Sequence, residues 1–337
     1  MNRRPHGSAS EDRGPLVTTT EALPAEALVV EAPPVEAPGW RFFDTVVTGV
    51  RRIGPSTVRL TLGGPELATF GAAGDDQRIK FVIPQPGRDV GDLVAHGADW
   101  YPYYCSMADE VRPFVRTYTV RAARVDRAEI DVDVVLHGVD EGHAGPAATW
   151  AAGAVPGDRL VVLGPDRPGT GRMWGVEWAP PATAHTLLLA ADETAVPAVS
   201  AILEGLAEVP GRRVVALLEV PEPGDEQVLD VPAGVTVRWL PRSGRVRGEL
   251  LVPAVHAALC DLGIASAERS GEVVEDVDLD AGLLWEVPDP DATAGCYAWL
   301  AGEAGVVKQL RRHLVTDLGV PRNEVAFMGY WRVGVSG

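Results

Sequence analysis

The hydrophobic rhythm of the chain changes once, at the Pro-rich joint A-P-P-A-T-A (residues 179–184), and that change divides what it can fold into. From Trp40 to about Pro181 the apolar segments are short, β-branched and bounded by Gly, Pro and Asp: F-F-D-T-V-V-T-G-V, T-V-R-L-T-L, R-I-K-F-V-I-P, R-T-Y-T-V-R, A-E-I-D-V-D-V-V-L-H-G and D-R-L-V-V-L-G-P. Alternation in T-V-R-L-T-L and A-E-I-D-V-D-V-V-L marks strands with one wet face, and six strands at this spacing predict a small antiparallel barrel. Beyond the joint, the strands T-L-L-L-A-A, V-V-A-L-L-E-V, V-T-V-R-W-L, C-Y-A-W-L-A and V-A-F-M-G-Y-W are interleaved with helices expected over Ala195 to about Glu208, Glu249 to Cys260 and Gly305 to Leu318. Apolar strands alternating with helices predict a mostly parallel sheet covered on both faces. The expected plan is an antiparallel β-barrel domain over residues 40–182 followed by an α/β domain over 183–337, and 337 residues suit two domains.

Residues 1–39 are rich in Pro, Ala and Glu with no sustained period, and predict a disordered tail, either inert or a docking arm. The acidic stretch 263–294, containing E-V-V-E-D-V-D-L-D, breaks the strand–helix rhythm and predicts an exposed insertion. No internal repeat is found.

Thirty Lys plus Arg against 47 Asp plus Glu give a formal charge of −17, which argues against a nucleic acid partner. Cys105, Cys260 and Cys296 form no C-x-x-C pair, so neither a disulfide framework nor a cysteine-held iron–sulfur cluster is encoded, and a reducing cytoplasm is expected. No apolar run is long enough for an export signal or a membrane span. H-E-x-x-H, an EF-hand loop and G-x-S-x-G are all absent, so no resident metal and no α/β-hydrolase chemistry is expected.

Six places carry residues suited to a dinucleotide. R-T-Y-T-V-R puts Arg116 and Tyr118 on one strand face and Thr117 and Thr119 on the other, where a guanidinium clamps phosphate and a ring packs on a flat heterocycle; an ordinary amphipathic strand reads the same way. His137-Gly138 and then G-P-A-A-T-W-A (145–151) run from a strand end to a helix start, either a phosphate cradle or a Gly/Pro turn with a structural histidine. D-E-T-A (192–195) and G-E-A-G (302–305) each join a strand to a helix, where Asp192 and Thr194 meet a ligand or cap the helix. Arg242 ends a strand, as a 2′-phosphate contact or a solvated loop arginine, and Tyr330 and Trp331 cover a flavin or cap the sheet.

R-T-Y-T-V-R, H-G with G-P-A-A-T-W-A, D-E-T-A-V-P-A, W-L-A-G-E-A and M-G-Y-W-R-x-G, in that order, resemble the siderophore-interacting protein family, FAD-containing ferric-siderophore reductases of the vibriobactin-utilisation type. The resemblance runs from about Trp40 to Gly334, the acidic insertion excepted, and implies a ferredoxin–NADP reductase-like architecture. It implies that Arg116, Tyr118 and Thr119 hold the flavin and its phosphates, with His137, Gly145, Ala147, Ala148 and Thr149 lining the rest of the FAD groove. Asp192, Glu193, Thr194 and Ala195, with Gly302, Glu303 and Ala304, would form the cleft for NADPH or NADH, and Trp331 and Arg332 would lie near the flavin. The iron chelate would occupy a basic pocket, for which Lys80, Arg112, Lys308 and Arg332 are candidates that no motif fixes. The implied activity passes electrons from NAD(P)H through FAD to Fe(III) in a siderophore and releases Fe(II), in a monomeric cytoplasmic enzyme. The alternatives are a flavin-dependent reductase of a small redox protein and a carrier that binds the ferric chelate without turnover.

Overall fold

Strands β1 (Trp40–Gly54), β2 (Thr57–Gly63), β3 (Arg78–Ile83), β4 (Phe114–Arg124), β5 (Glu129–Val135) and β6 (Arg159–Pro165) close an antiparallel barrel in the order β1-β2-β5-β4-β3-β6. The coordinates are a computed structural model that describes residues 39–139, 142, 144–167, 175–264, 284–289 and 294–334, so the expected tail up to residue 38 and most of the expected insertion lie outside the described residues. Alternation works as its period demands. Val58, Leu60 and Leu62 of β2 meet Ile130, Val132 and Val134 of β5 in the barrel core, each burial giving about 1.5–3 kcal/mol before the entropy of ordering. The intervening polar residues pair across the strands: Arg59 opposes Asp133 with bonds of 2.6 and 2.8 Å, and Thr61 donates to Asp131 at 2.8 Å.

Helix α1 (Gly91–Ala95) and helix α2 (Trp100–Ser106) lie on the outer barrel face, where Leu93 packs with Phe42, Val82 and Leu163. Helix α3 (Pro146–Gly153) sends Ala147, Ala151 and Trp150 to the barrel core.

The second half builds a six-stranded sheet from β7 (Thr186–Ala191), β8 (Arg213–Val220), β9 (Val235–Pro241), β10 (Trp285–Glu286), β11 (Cys296–Glu303) and β12 (Val325–Trp331), ordered β10-β12-β11-β7-β8-β9. All neighbours run parallel except β10 against β12. The apolar strands have a core on each side. Leu187, Leu189 and Ala191 of β7 face α4 (Val196–Gly205), while Leu188 and Ala190 face α5 (Leu251–Leu262) and α6 (Ala304–Arg312). α6 ends in a π-helical turn, His313–Asp317.

One expectation is corrected. Within the stretch read as an exposed insertion, Leu284 is buried, Trp285 and Glu286 pair with Met328 and Phe327, and Glu286 accepts Arg311 at 2.7 Å and Arg322 at 3.2 Å. The charge run conceals a short edge strand at its end, in which Trp285 packs on the sheet and Glu286 pairs with arginines.

The described residues form one compact unit. The two halves are joined by polar contacts, Arg121 of β4 to Glu204 of α4 at 2.7 Å and Ser56 N–H to Asp225 at 2.8 Å, while within the barrel half the Asp76 carboxylate accepts the Glu177 and Trp178 N–H groups at 3.0 and 2.9 Å. At the carboxyl ends of β12 and β7, Trp331 and Glu193 meet His137 of the barrel half.

Candidate functional site

On the barrel side, Tyr118 packs on Phe81 at 4.6 Å between centroids, and Phe81 meets Trp150 of α3 at 6.2 Å. Burial pushes the Tyr118 phenol above its ordinary range, so it stays neutral. Thr119 is buried. Arg116 is half-buried, donates to its neighbour's carbonyl, Val115 O, at 3.0 Å, and stands 5.8 Å from the Phe114 ring. Among the described residues no carboxylate pairs with it, and burial holds the guanidinium below its ordinary value.

Helix α3 packs against β4 and starts at Gly145 with Pro146 in its first turn, no acidic residue there, and no side-chain cap. Ala147 and Ala148 are buried, Thr149 N–H donates to Gly145 O at 3.0 Å, and a Cβ on Gly145 would meet nothing within 4 Å. A half-buried cation lacking a carboxylate and an uncapped helix start with open room in front fit an anionic cofactor such as FAD.

Across from them, the carboxyl edge of the sheet is tied to one carboxylate. Asp192 Oδ1 accepts the N–H and hydroxyl of Thr194 at 2.9 and 2.6 Å, while Oδ2 accepts Glu303 N–H at 2.7 Å and the Trp331 indole N–H at 2.9 Å. Burial, with the neighbouring charge of Glu193, pushes Asp192 up to about 6. Gly302 has φ +150°, and a Cβ there would lie 2.7 Å from the Asp192 carboxyl, so only glycine lets β11 pass this close. Glu303 caps α6 through Val306 N–H at 2.9 Å and also accepts Val333 N–H at 3.3 Å; Ala304 and Ala195 are fully buried.

The barrel and the sheet meet in a stack. The His137 ring lies 4.9 Å from Trp331 at 25°, its Nε2 is 3.7 Å from Glu193, and the Arg247 guanidinium stands 4.8 Å from the Trp331 ring. Tyr330 turns the other way, stacks on Trp285 at 5.8 Å and caps the sheet.

Arg242 departs from both readings of the sequence. It is 5% exposed, makes a fork to Glu193 at 2.6 and 2.9 Å, and lies 3.6 Å from Glu219. Its donors face carboxylates inside the protein, so it is neither a solvated arginine nor free for a 2′-phosphate. Burial pushes Glu193 up, but Arg242 and then His137 hold it below the usual carboxylate range. Sequence reasoning missed Glu219, which accepts the N–H groups of Gly248, Leu250 and Leu251 at 2.8–3.1 Å, and Arg247, which lies 3.6 Å from Glu193. A glutamate inside the apolar run V-V-A-L-L-E-V was the available signal. The cavity lined by Asp192, Glu219, Arg247 and Gly302 holds about 10 Å³, room for one water rather than a nicotinamide.

The four cations considered for the chelate are divided between the two halves. Lys80 of β3 donates to Thr117 at 3.0 Å, and burial holds its amine below the ordinary range. Arg112 is fastened within its own loop by the Tyr104 and Met107 carbonyls and by Asp109 at 2.9 Å. Lys308 lies on α6 and Arg332 directly follows β12. No helix among the described residues is long and apolar enough to cross a membrane.

Known proteins share the sequence signatures of both halves. The siderophore-interacting FAD-binding domain matches residues 46–169, and the siderophore-interacting protein family matches residues 184–334. An uncharacterized protein of Mycobacterium tuberculosis is 34% identical over 87% of this chain and 90% of its own length. Ferric vibriobactin reductase of Vibrio cholerae is 26% identical over 87% and 91%, and the NADPH-dependent ferric-chelate reductase of Escherichia coli is 26% identical over 86% and 93%. Among solved structures, the siderophore-interacting protein SipS of Aeromonas hydrophila superposes with a TM-score of 0.60 at 30% identity, over 88% and 93% of the two chains. The ferredoxin reductase of carbazole 1,9a-dioxygenase, at 14% identity, a TM-score of 0.54 and coverage of 87% and 70%, shares the fold alone. This chain, a barrel with an FAD-binding signature joined to a ferredoxin reductase-like α/β half, belongs to the siderophore-interacting protein family.

Proposed function

We propose that the protein is an NAD(P)H-dependent ferric-siderophore reductase in which Arg116, Tyr118, Thr119 and the start of α3 hold FAD. The observation that carries the reading is Arg116, a half-buried guanidinium with no carboxylate partner among the described residues, on the strand that also bears Tyr118 and packs against the uncapped α3. Bound FAD supplies the conversion of a two-electron hydride donor into single-electron delivery to Fe(III). The chain's own residues bind, orient and exclude water. Arg116 neutralises phosphate, the neutral Tyr118 presents an apolar ring, and His137 and Trp331 close the side facing the sheet. Asp192 fixes the Trp331 indole and the Gly302–Glu303 turn together, the edge where a dinucleotide would enter. Hard oxygen ligands hold Fe(III) better than Fe(II), so reduction loosens the metal without an acid or base from the protein. The relatives named ferric vibriobactin reductase and NADPH-dependent ferric-chelate reductase support this reading.

The test is an absorbance spectrum of the purified protein, then anaerobic NADH or NADPH, then a ferric siderophore with a ferrous trap. A flavin spectrum that bleaches with the reductant, recovers on adding the chelate and yields trapped Fe(II) is expected. Failure to bind added FAD, or bleaching with no recovery on ferric chelates, would overturn it.

A further inference from the structure

Reduction of iron by a nicotinamide sheds a proton. One NAD(P)H and two Fe(III) give NAD(P)+, two Fe(II) and one proton, because the hydrogen nucleus that enters with the hydride stays behind when its two electrons leave singly. His137 and Trp331 stack across the sheet side of the site, so this proton needs a way out through the protein.

Asp76 stands beside the strand that bears Tyr118 and Thr119. It lies two residues before Arg78, which pairs with Thr119 in the β3–β4 ladder, and the intervening Gln77 O accepts Val120 N–H at 2.8 Å. The side chain is fully buried: Oδ1 accepts the Glu177 and Trp178 N–H groups, while Oδ2 has no hydrogen-bond partner among the described residues. On the sheet side, the buried hydroxyl of Tyr330 also lacks a partner there, and the Asp76 charge acts on it. Burial holds this phenol far above its ordinary value, so it stays a neutral donor. One buried water between donor and acceptor satisfies both.

Asp75 continues the row toward solvent. It is half-buried at φ +52°, and burial, then Asp76 beside it, push its carboxyl up to about 6. Burial pushes Asp76 up as well, against its two N–H bonds and Arg78. Arg78 and Glu177, paired at 2.7 Å, are the other charges acting on Asp76, and Asp192 is a further one acting on Tyr330. Carboxyls that titrate near the working pH give and take a proton at the least cost in either direction.

We propose that Asp76, reached from the sheet side through Tyr330 and emptied through Asp75, relays to solvent the proton that each turnover releases. The inference rests on the reductase reading above.

The flavin-loaded protein is reduced anaerobically with NADH and reoxidised with ferricyanide, a one-electron acceptor that takes up no proton, in weakly buffered solution with a pH indicator. In the wild type, proton release keeps pace with reoxidation, and both slow in heavy water. Asp76→Asn, which keeps the Oδ1 acceptor, slows both about ten- to a hundredfold near neutrality and leaves the rate of bleaching by NADH unchanged. Asp75→Asn, an exchange that suits φ +52°, and Tyr330→Phe slow them about three- to tenfold. An infrared pH titration of the oxidised protein reads the carboxyl without turnover: a buried protonated carboxyl that titrates between about pH 5 and about pH 8 is expected in the wild type and absent from Asp76→Asn. Wild-type reoxidation in Asp76→Asn, equal slowing of bleaching and reoxidation, or a carboxyl signal that survives in Asp76→Asn overturns the relay. A protein that is reoxidised by ferricyanide but by no ferric siderophore sinks the reductase reading instead, and the same rates still decide the relay.

Discussion

Arg242→Ala separates a buried counter-charge from a phosphate contact. In the wild type, Arg242 and Glu193 are 5% and 3% exposed and joined by two bonds of 2.6 and 2.9 Å. Charges about 4 Å apart attract by about 4 kcal/mol at an effective dielectric near 20, and removing one partner of such a pair costs about 3–5 kcal/mol because the other charge stays buried. His137 at 3.7 Å and Arg247 at 3.6 Å remain beside Glu193, which places the loss near the lower end, about 3 kcal/mol. Glu219 keeps its three backbone donors and adds little. Guanidinium chloride denaturation measures the loss, with a fall in melting temperature of roughly 6–12 °C. The pH dependence has a definite sign. Glu193 is held below its ordinary value in the wild type, so the stability it contributes is present above the unfolded-state pKa and lost as pH falls through the folded one. The gap between wild type and variant is therefore widest near neutrality and closes in acid. Arg242→Met combined with Glu193→Gln restores more than half of the loss, and any change in KM is equal for NADH and NADPH. A loss below about 1 kcal/mol, or a defect confined to NADPH, would refute the assignment.

Gly302→Ala forces a Cβ to within 2.7 Å of the Asp192 carboxyl at φ +150°, and is expected to cost about 2–4 kcal/mol and shift Trp331 emission; wild-type stability and spectrum would contradict it. Arg116→Ala weakens FAD about 10- to 100-fold while leaving the flavin-free protein within about 0.5 kcal/mol of wild type, because no carboxylate among the described residues is stranded; full retention of FAD would remove the central contact. Asp192 is pushed up to about 6 by burial, so the folded state binds its proton more tightly and the stability this supplies, about 3 kcal/mol, is present below pH 4 and lost as pH rises through 6. Asp192→Asn should flatten that slope in denaturation series from pH 4 to 7, and an unchanged slope would be the contrary result.

The strands were legible because burial imposes a period. T-V-R-L-T-L alternates since Arg59 and Thr61 face Asp133 and Asp131 outside while Val58, Leu60 and Leu62 face inward. T-L-L-L-A-A does not alternate, since both its faces are covered. Motif order brought His137, Asp192, Gly302 and Trp331 to one cleft, as the stack and the Asp192 bonds show. What stayed hidden depends on contacts that sequence distance conceals. Arg242 looks like any strand-end arginine until the strand order sets it against Glu193, 49 positions away. The edge strand at Trp285 is two residues long, too short for any period, and α1 and α2 are one to two turns long, held by their seat on the barrel rather than by helical pattern.

The distribution of charge within the fold answers the difficulty posed by an acidic chain handling an anionic chelate. Asp192, Glu193, Glu219 and Glu303 are all buried at the carboxyl edge of the sheet, and the arginines nearest them, Arg242 and Arg247, lie against those carboxylates. That edge therefore carries no surplus of positive potential to attract phosphates or a ferric complex. Its excess of carboxylate instead lowers the energy of positive charge, which is what a nicotinamide ring acquires on giving up a hydride. On the barrel, Arg116 donates to the Val115 carbonyl and Lys80 to the Thr117 hydroxyl, and neither pairs with a carboxylate among the described residues. Under the proposed reading the electron donor and the iron complex thus approach opposite electrostatic surfaces. Raising the salt concentration should weaken the binding of an anionic ferric chelate far more than that of a neutral one, and equal salt dependence would place the chelate on the acidic edge instead.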